Sequence, residues 1–142
     1  MSHDTLNILA IEDNPERQII LKEIYCLQNI VIADNVCDAI GHLQKKEFDL
    51  IHLDYDLLDN TNSLEAARQI RDKGRLQMVV IHSENPRGCK EIREIQPHAF
   101  TIPIDLFITG NPFSSRIKSI LAGYSKDPIL SLAKLFRWNA ER

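Results

Sequence analysis

Cysteine pairs, an excess of basic charge and long apolar runs are all missing from this chain, and each absence closes off a class of protein. Its 142 residues include three cysteines, Cys26, Cys37 and Cys89. They are odd in number, scattered and without C-x-x-C spacing, which supports neither a disulfide framework nor a zinc site, so reduced thiols are expected. The net charge is −3, from 17 basic and 20 acidic residues interspersed along the chain. That balance has no electrostatic footprint for general nucleic-acid binding or for an anionic membrane, and a small molecule or a protein is the expected partner. The N-terminal MSHDTLN is polar, and no apolar stretch reaches the about 18 residues needed to span a bilayer. The expected location is the cytoplasm. Internal repeats, low-complexity segments and a linker long enough to divide the chain are also lacking.

What is present is a regular alternation. Short apolar runs at Leu6–Ile11, Ile30–Ala33, Phe48–Leu53 and Met78–Ile81 are each followed by polar or turn residues, as suits buried parallel strands. Between them fall residues at helical spacing: Ile19, Ile20, Ile24 and Leu27; Val36, Ile40 and Leu43; Leu64, Ala67 and Ile70. Pro15 suits the opening of the first helix, and Asn35 and Ser63 can cap the second and third. A weaker fifth strand is predicted at His98–Ile102, before Pro103, and a fifth helix at Ser114–Leu121. Strand then helix, five times over, predicts an α/β fold, a doubly wound five-stranded parallel sheet with helices on both faces. After Gly123, Asp127 and Pro128 start another helix with Ile129, Leu132, Leu135 and Phe136 on one face. This amphipathic extension either packs on its own domain or forms a surface for a homodimer or another partner.

In such sheets ligands bind at the carboxyl ends of the strands. Glu12 and Asp13 follow strand one, and Asp54 and Asp56 follow strand three. Carboxylates converging there repel unless a cation compensates them, and Mg²⁺ is the natural occupant of an all-oxygen site held by Glu12, Asp13 and Asp54. Magnesium keeps room for phosphate oxygens, so Asp54 is either a nucleophile or a ligand. The plain alternative is that these acids are solvated loop residues or helix caps. Strand four ends in VVIHSENPRG, which adds His82 and Ser83; a hydroxyl there can contact a phosphoryl oxygen, and Gly88 can let a backbone amide approach an anion. His82 is a candidate acid or base, or a satisfied core histidine. His3, His42, His52 and His98 show no metal-ligand spacing and are expected to be structural.

The segments ILAIEDN, FDLIHLDYDL and VVIHS resemble the receiver domains of two-component signalling, over roughly Leu6 to Leu121. That resemblance implies the flavodoxin-like receiver topology for residues 1–123, with 124–142 as a C-terminal amphipathic extension. It also implies Mg²⁺ at the acidic pair and a phosphoryl group accepted by Asp54 from a histidine kinase. Receivers carry a lysine directly before the proline after strand five; here Ile102 stands in that place, which removes an ammonium from the pocket. A narrower resemblance is to the cyclic-phosphate processing receiver-like domains, with IEDNPER, LDYDL and HSENPRG standing for their acidic pair, LDHDL-like strand and HS-x-NP-x-G turn. Tyr55 departs from that pattern, which usually has histidine there. This resemblance implies a metal-dependent phosphoesterase acting on a phosphate ester, with Asp54 and His82 catalytic and Ser83, Asn85 and Gly88 binding phosphate. The competing expectations are a single-domain response regulator phosphorylated on Asp54, and a degenerate receiver that only binds a protein partner.

Overall fold

A computed structural model describes residues 5–57, 62–73, 77–82, 84–124 and 126–140. Five strands, β1 (Asn7–Ile11), β2 (Asn29–Ala33), β3 (Leu50–Leu53), β4 (Met78–Ile81) and β5 (Phe100–Thr101), form one sheet in the order β2-β1-β3-β4-β5. All pairings are parallel. The helices are α1 (Pro15–Ile24), α2 (Val36–Lys45), α3 (Leu64–Asp72), α4 (Pro86–Ile95), α5 (Pro112–Ser119) and α6 (Pro128–Asn139). The predicted doubly wound α/β architecture is the one observed. None of the described helices is long and apolar enough to cross a membrane.

Strand periodicity divides the interior into two cores, because successive side chains point to opposite faces. On one face Leu9, Ile11, Ile51, Leu53, Val79 and Ile81 pack against α2, α3 and α4. On the other, Ile8, Ala10, Leu50 and Val80 pack against α1, α5 and α6. Residues buried on both sides need apolar character at every position, which is why the strands read as unbroken apolar runs.

Several local expectations are corrected. The first helix stops at Ile24, and Ile19 and Leu27 lie exposed at 56% and 77%. Leu21 and Tyr25 take the inward places, and the Gln28 amide bonds back to Tyr25 in a turn that ends the helical run. Ser63 occupies the cap position of α3 but makes no capping bond there; Asn62 Oδ1 accepts the Leu64 amide instead. Asn35 caps α2 as expected, taking the Asp38 amide. The fifth strand is shorter than predicted because His98 and Ala99 belong to the turn closing α4, where the Ala99 amide bonds to Gln96. The fifth helix begins two residues earlier, at Pro112, capped by Asn111. In α6, Leu132 and Phe136 are fully buried in the same core as α1 and α5.

Candidate metal and phosphate site

The ladder runs one rung past each strand. Register pairs Ile11 with Leu53, Leu53 with Ile81, and Ile81 with Thr101. The next amides continue it: Asp54 N donates to Ile11 O, His82 N to Leu53 O, and Ile102 N to Ile81 O, at 2.9–3.1 Å. Glu12 N likewise reaches Ala33 O. Glu12, Asp54, His82 and Ile102 therefore form one row along the carboxyl edge of the sheet. The chain reverses its winding between β1 and β3, which is where this kind of sheet opens a crevice.

Into that crevice Glu12, Asp13 and Asp54 each turn a carboxylate oxygen, and the three oxygens lie within 4.8 Å of one another. Glu12 is fully buried and Asp54 is 5% exposed. His82 Nε2 donates to Glu12 Oε1 at 3.0 Å, and the Asn14 amide donates to Glu12 Oε2 at 3.1 Å. Burial alone would raise Glu12, but the hydrogen bond and charge of His82, helped by Asn14, outweigh it and hold the carboxyl down at about 2. The proton preference falls on its neighbour. Burial, then the Glu12 charge and hydrogen bond, push Asp54 up to about 8, with Arg17 pulling weakly the other way. Asp13 is also raised, by burial and by Glu12. Carboxylates that cannot all ionise together, offering only hard oxygen donors, are the electrostatic environment a Mg²⁺ ion relieves.

Arg17 was not singled out by sequence reasoning, yet its Nη1 lies 3.8 Å from both Glu12 Oε1 and Asp54 Oδ2, and its Nη2 lies 2.8 Å from Glu84 Oε1. It follows Asn14 and Pro15 in the first turn of α1, so the helix start aims it back over the strand ends. The only sequence signal was its position one turn after the acidic pair. Beneath the row, on the same face of β3 as Leu50, His52 is fully buried and its Nε2 lies 2.7 Å from Tyr25 Oη. Its ring centre is 5.6 Å from that of His82. Burial, and secondarily His82, lower His52 well below the usual histidine range, so it is a neutral strut under the site.

The remaining predicted residues are placed differently. Asn85 Oδ1 accepts the Gly88 amide at 3.0 Å as the cap of α4, so that amide is already engaged. Gly88 packs under Tyr55: a β-carbon there would meet Tyr55 Cγ at 2.2 Å. The glycine makes room for this ring, whose hydroxyl donates to Glu91 at 2.8 Å. Asp56 is exposed and accepts from Asn85 at 3.4 Å, outside the carboxylate triad. Ser83 lies outside the described residues. Ile102, in the place of the receiver lysine, is fully buried.

Comparisons with known proteins bear on the fold and on the family. No curated protein matches the chain in sequence. The structure is similar to the phosphorylated cyanobacterial phytochrome response regulator RcpA (TM-score 0.68, 15% identity, covering 87% of this chain and 98% of that one). It is similar also to the receiver domain of a Pseudomonas aeruginosa sensor histidine kinase with magnesium in its active-site cleft (TM-score 0.54, 22% identity, 62% of this chain and 75% of that one). A third is the Thermotoga maritima response regulator TrrA in complex with Mg²⁺ and BeF (TM-score 0.59, 20% identity, 78% and 92%). At these identities the likeness is one of fold. The sequence match is more specific and covers residues 8–96, from β1 through α4, taking in every carboxylate of the triad and His82. The chain belongs to the cyclic-phosphate processing receiver domain family.

Proposed function

We propose that the row of Glu12, Asp54 and His82, with Asp13 beside it, is a Mg²⁺-dependent site that processes a phosphate ester, a cyclic phosphate being the substrate class the family name suggests. The observation that carries this reading is the exchange at the end of the sheet: buried Ile102 stands where a receiver keeps its lysine, while His82, hydrogen-bonded to Glu12, stands next to Asp54. A receiver needs the ammonium to pair with its phosphorylated aspartate; a hydrolytic site needs a proton donor for the leaving oxygen.

Glu12, Asp13 and Asp54 would hold the metal, which when bound supplies Lewis acidity to a phosphoryl oxygen. The protein's own groups do the rest. His82 is fixed through Nε2 on Glu12, and its Nδ1 has no partner among the described residues. Its side chain is fully buried, so donation of a proton from Nδ1 to the ester oxygen as the P–O bond breaks requires the ester to enter beside the ring. Attacking water forms the new P–O bond and gives its proton to Asp54, which serves as a carboxylate only where a bound cation offsets the Glu12 charge that otherwise keeps it protonated. Arg17, already spanning the carboxylates and Glu84, screens the entering phosphate charge.

The test incubates purified protein with Mg²⁺ and a panel of 2′,3′-cyclic nucleotides, and in parallel with acetyl phosphate. Expected is turnover of a cyclic phosphate that Asp54→Asn and His82→Gln both abolish. A stable, acid-labile phosphoryl label on Asp54 with no cyclic-phosphate turnover would instead support a single-domain response regulator phosphorylated on Asp54. Silence in both assays would leave a protein-binding module.

A further inference from the structure

Charge is unevenly divided along the chain. Residues 112–142, which contain α5 and α6, hold six basic and two acidic residues, a net of +4, while the whole chain is −3. Arg116, Lys118, Lys126, Lys134 and Arg137 are all exposed, and among the described residues none of them makes an ion pair. Asp127 is engaged as the cap of α6, where its carboxylate accepts the Leu130 amide. Between α5 and α6 runs an open groove of about 390 Å³, lined by Ser115, Arg116, Ser119, Ile120 and Leu135. Ser115 and Ser119 stand one turn apart on one side of α5, where their small side chains leave the half-buried Ile120 and Leu135 partly uncovered. Three residues after Leu135, on the same side of α6, comes Trp138, the chain's one tryptophan, 84% exposed. An indole has an apolar body and one N–H donor, the combination that anchors protein interfaces.

We propose that this groove docks an acidic amphipathic helix of another protein, with apolar side chains seated on Ile120, Leu135 and Trp138 and carboxylates against Arg116 and Lys134. The docking surface is independent of the phosphate-ester reading. Charge complementarity chooses its occupant. A second copy of this chain seated symmetrically would bring two basic faces together, because a twofold interface meets itself. An anionic bilayer takes up an amphipathic helix through a free apolar face. In α6 that face is already occupied, since Leu132 and Phe136 are fully buried in the domain's own core. A recessed apolar floor between two helices is instead reached by side chains that project from a third helix at i, i+3, i+4 and i+7. Exposed cations beside such a floor favour an acidic partner and repel a basic one, which supplies specificity more than raw affinity.

The probe is a synthetic helical peptide with leucines at i, i+3, i+4 and i+7 and glutamates on its flanks, titrated against the full chain at low salt. Two control peptides carry glutamine or lysine in place of every glutamate. The glutamate peptide should shift Trp138 emission to the blue and bind at least about tenfold more tightly than the glutamine peptide, a difference of about 1.4 kcal/mol. Ser119→Tyr, an exposed change that fills the groove without altering charge, should weaken the glutamate peptide at least about fivefold. Arg116→Glu combined with Lys134→Glu should reverse the preference, so that the lysine peptide binds more tightly than the glutamate one. A misfolded variant would not give that reversal. Equal binding of the glutamate and glutamine peptides, or binding unmoved by Ser119→Tyr, would overturn the docking surface. So would Trp138 emission that shifts with phosphatidylserine vesicles, with oligothymidylate or on self-association, but not with the glutamate peptide.

Discussion

Glu12 and Asp54 divide one problem between them: two carboxylates in a dry crevice, of which one keeps its charge and the other keeps a proton. Asp54, raised to about 8 from an ordinary 3.8, stays protonated in the folded protein while the unfolded chain ionises, so without metal its contribution to stability falls as pH rises from about 4 to 8. His52 has the opposite slope. It stays neutral when folded, so below its unfolded pKa of about 6.5 the unfolded chain takes up a proton that the fold cannot, and stability falls with falling pH. Below about pH 6.5 the two slopes oppose each other. In Asp54→Asn, urea titrations without divalent cation should therefore uncover the His52 slope, a loss approaching 1.4 kcal/mol per pH unit on acidification. A flat profile in that variant would mean that His52 titrates normally. Arg17 competes with a metal for the same carboxylates from 3.8 Å. Arg17→Ala should tighten Mg²⁺ binding roughly three- to tenfold by calorimetry, about 1 kcal/mol, while Asp54→Asn should abolish it. Weaker binding in Arg17→Ala would show that the guanidinium helps to build the site.

At the scale of elements, four helices start with the same device. Asn14-Pro15, Asn85-Pro86, Asn111-Pro112 and Asp127-Pro128 each place an Asx side chain on first-turn amides and a proline at the first position. The device is legible in sequence, and at Asn111-Pro112 it was the overlooked signal for where α5 begins. At Asn85 it also shows why a motif can be read two ways. A cap and an anion cradle use the same amides, and only the bond from the Gly88 amide to Asn85 Oδ1 tells them apart. Gly88 then carries a packing role: Gly88→Ala would drive a methyl into the Tyr55 ring and should cost about 1–3 kcal/mol by urea unfolding. In a Tyr55→Ala background most of that cost should vanish. An equal cost in both backgrounds would locate the strain elsewhere.

For the whole molecule, α6 completes the core on the α1 and α5 face, where the Phe136 ring packs against Phe100, Phe107 and Phe113. Phe136→Ala should cost about 3–5 kcal/mol, and truncation after Gly123 should expose this cluster and abolish cooperative unfolding. A truncated chain that melts cooperatively near the parent temperature would make residues 1–123 a self-sufficient domain. The amino-acid sequence by itself determined the strand order of chemistry: apolar runs set five parallel strands, and the residue after each run had to lie at the carboxyl edge, because the hydrogen-bond ladder carries its register one rung beyond each strand. Glu12, Asp54, His82 and Ile102 were legible for that reason. What only the tertiary structure decided was which side chains reach across from elsewhere. Arg17 over the carboxylates, Tyr25 beneath His52, Tyr55 on Gly88 and the groove between α5 and α6 all depend on how helices dock on the sheet. Docking angle and side-chain rotamer come from the packing of the two cores as wholes, and no local pattern of residues encodes them.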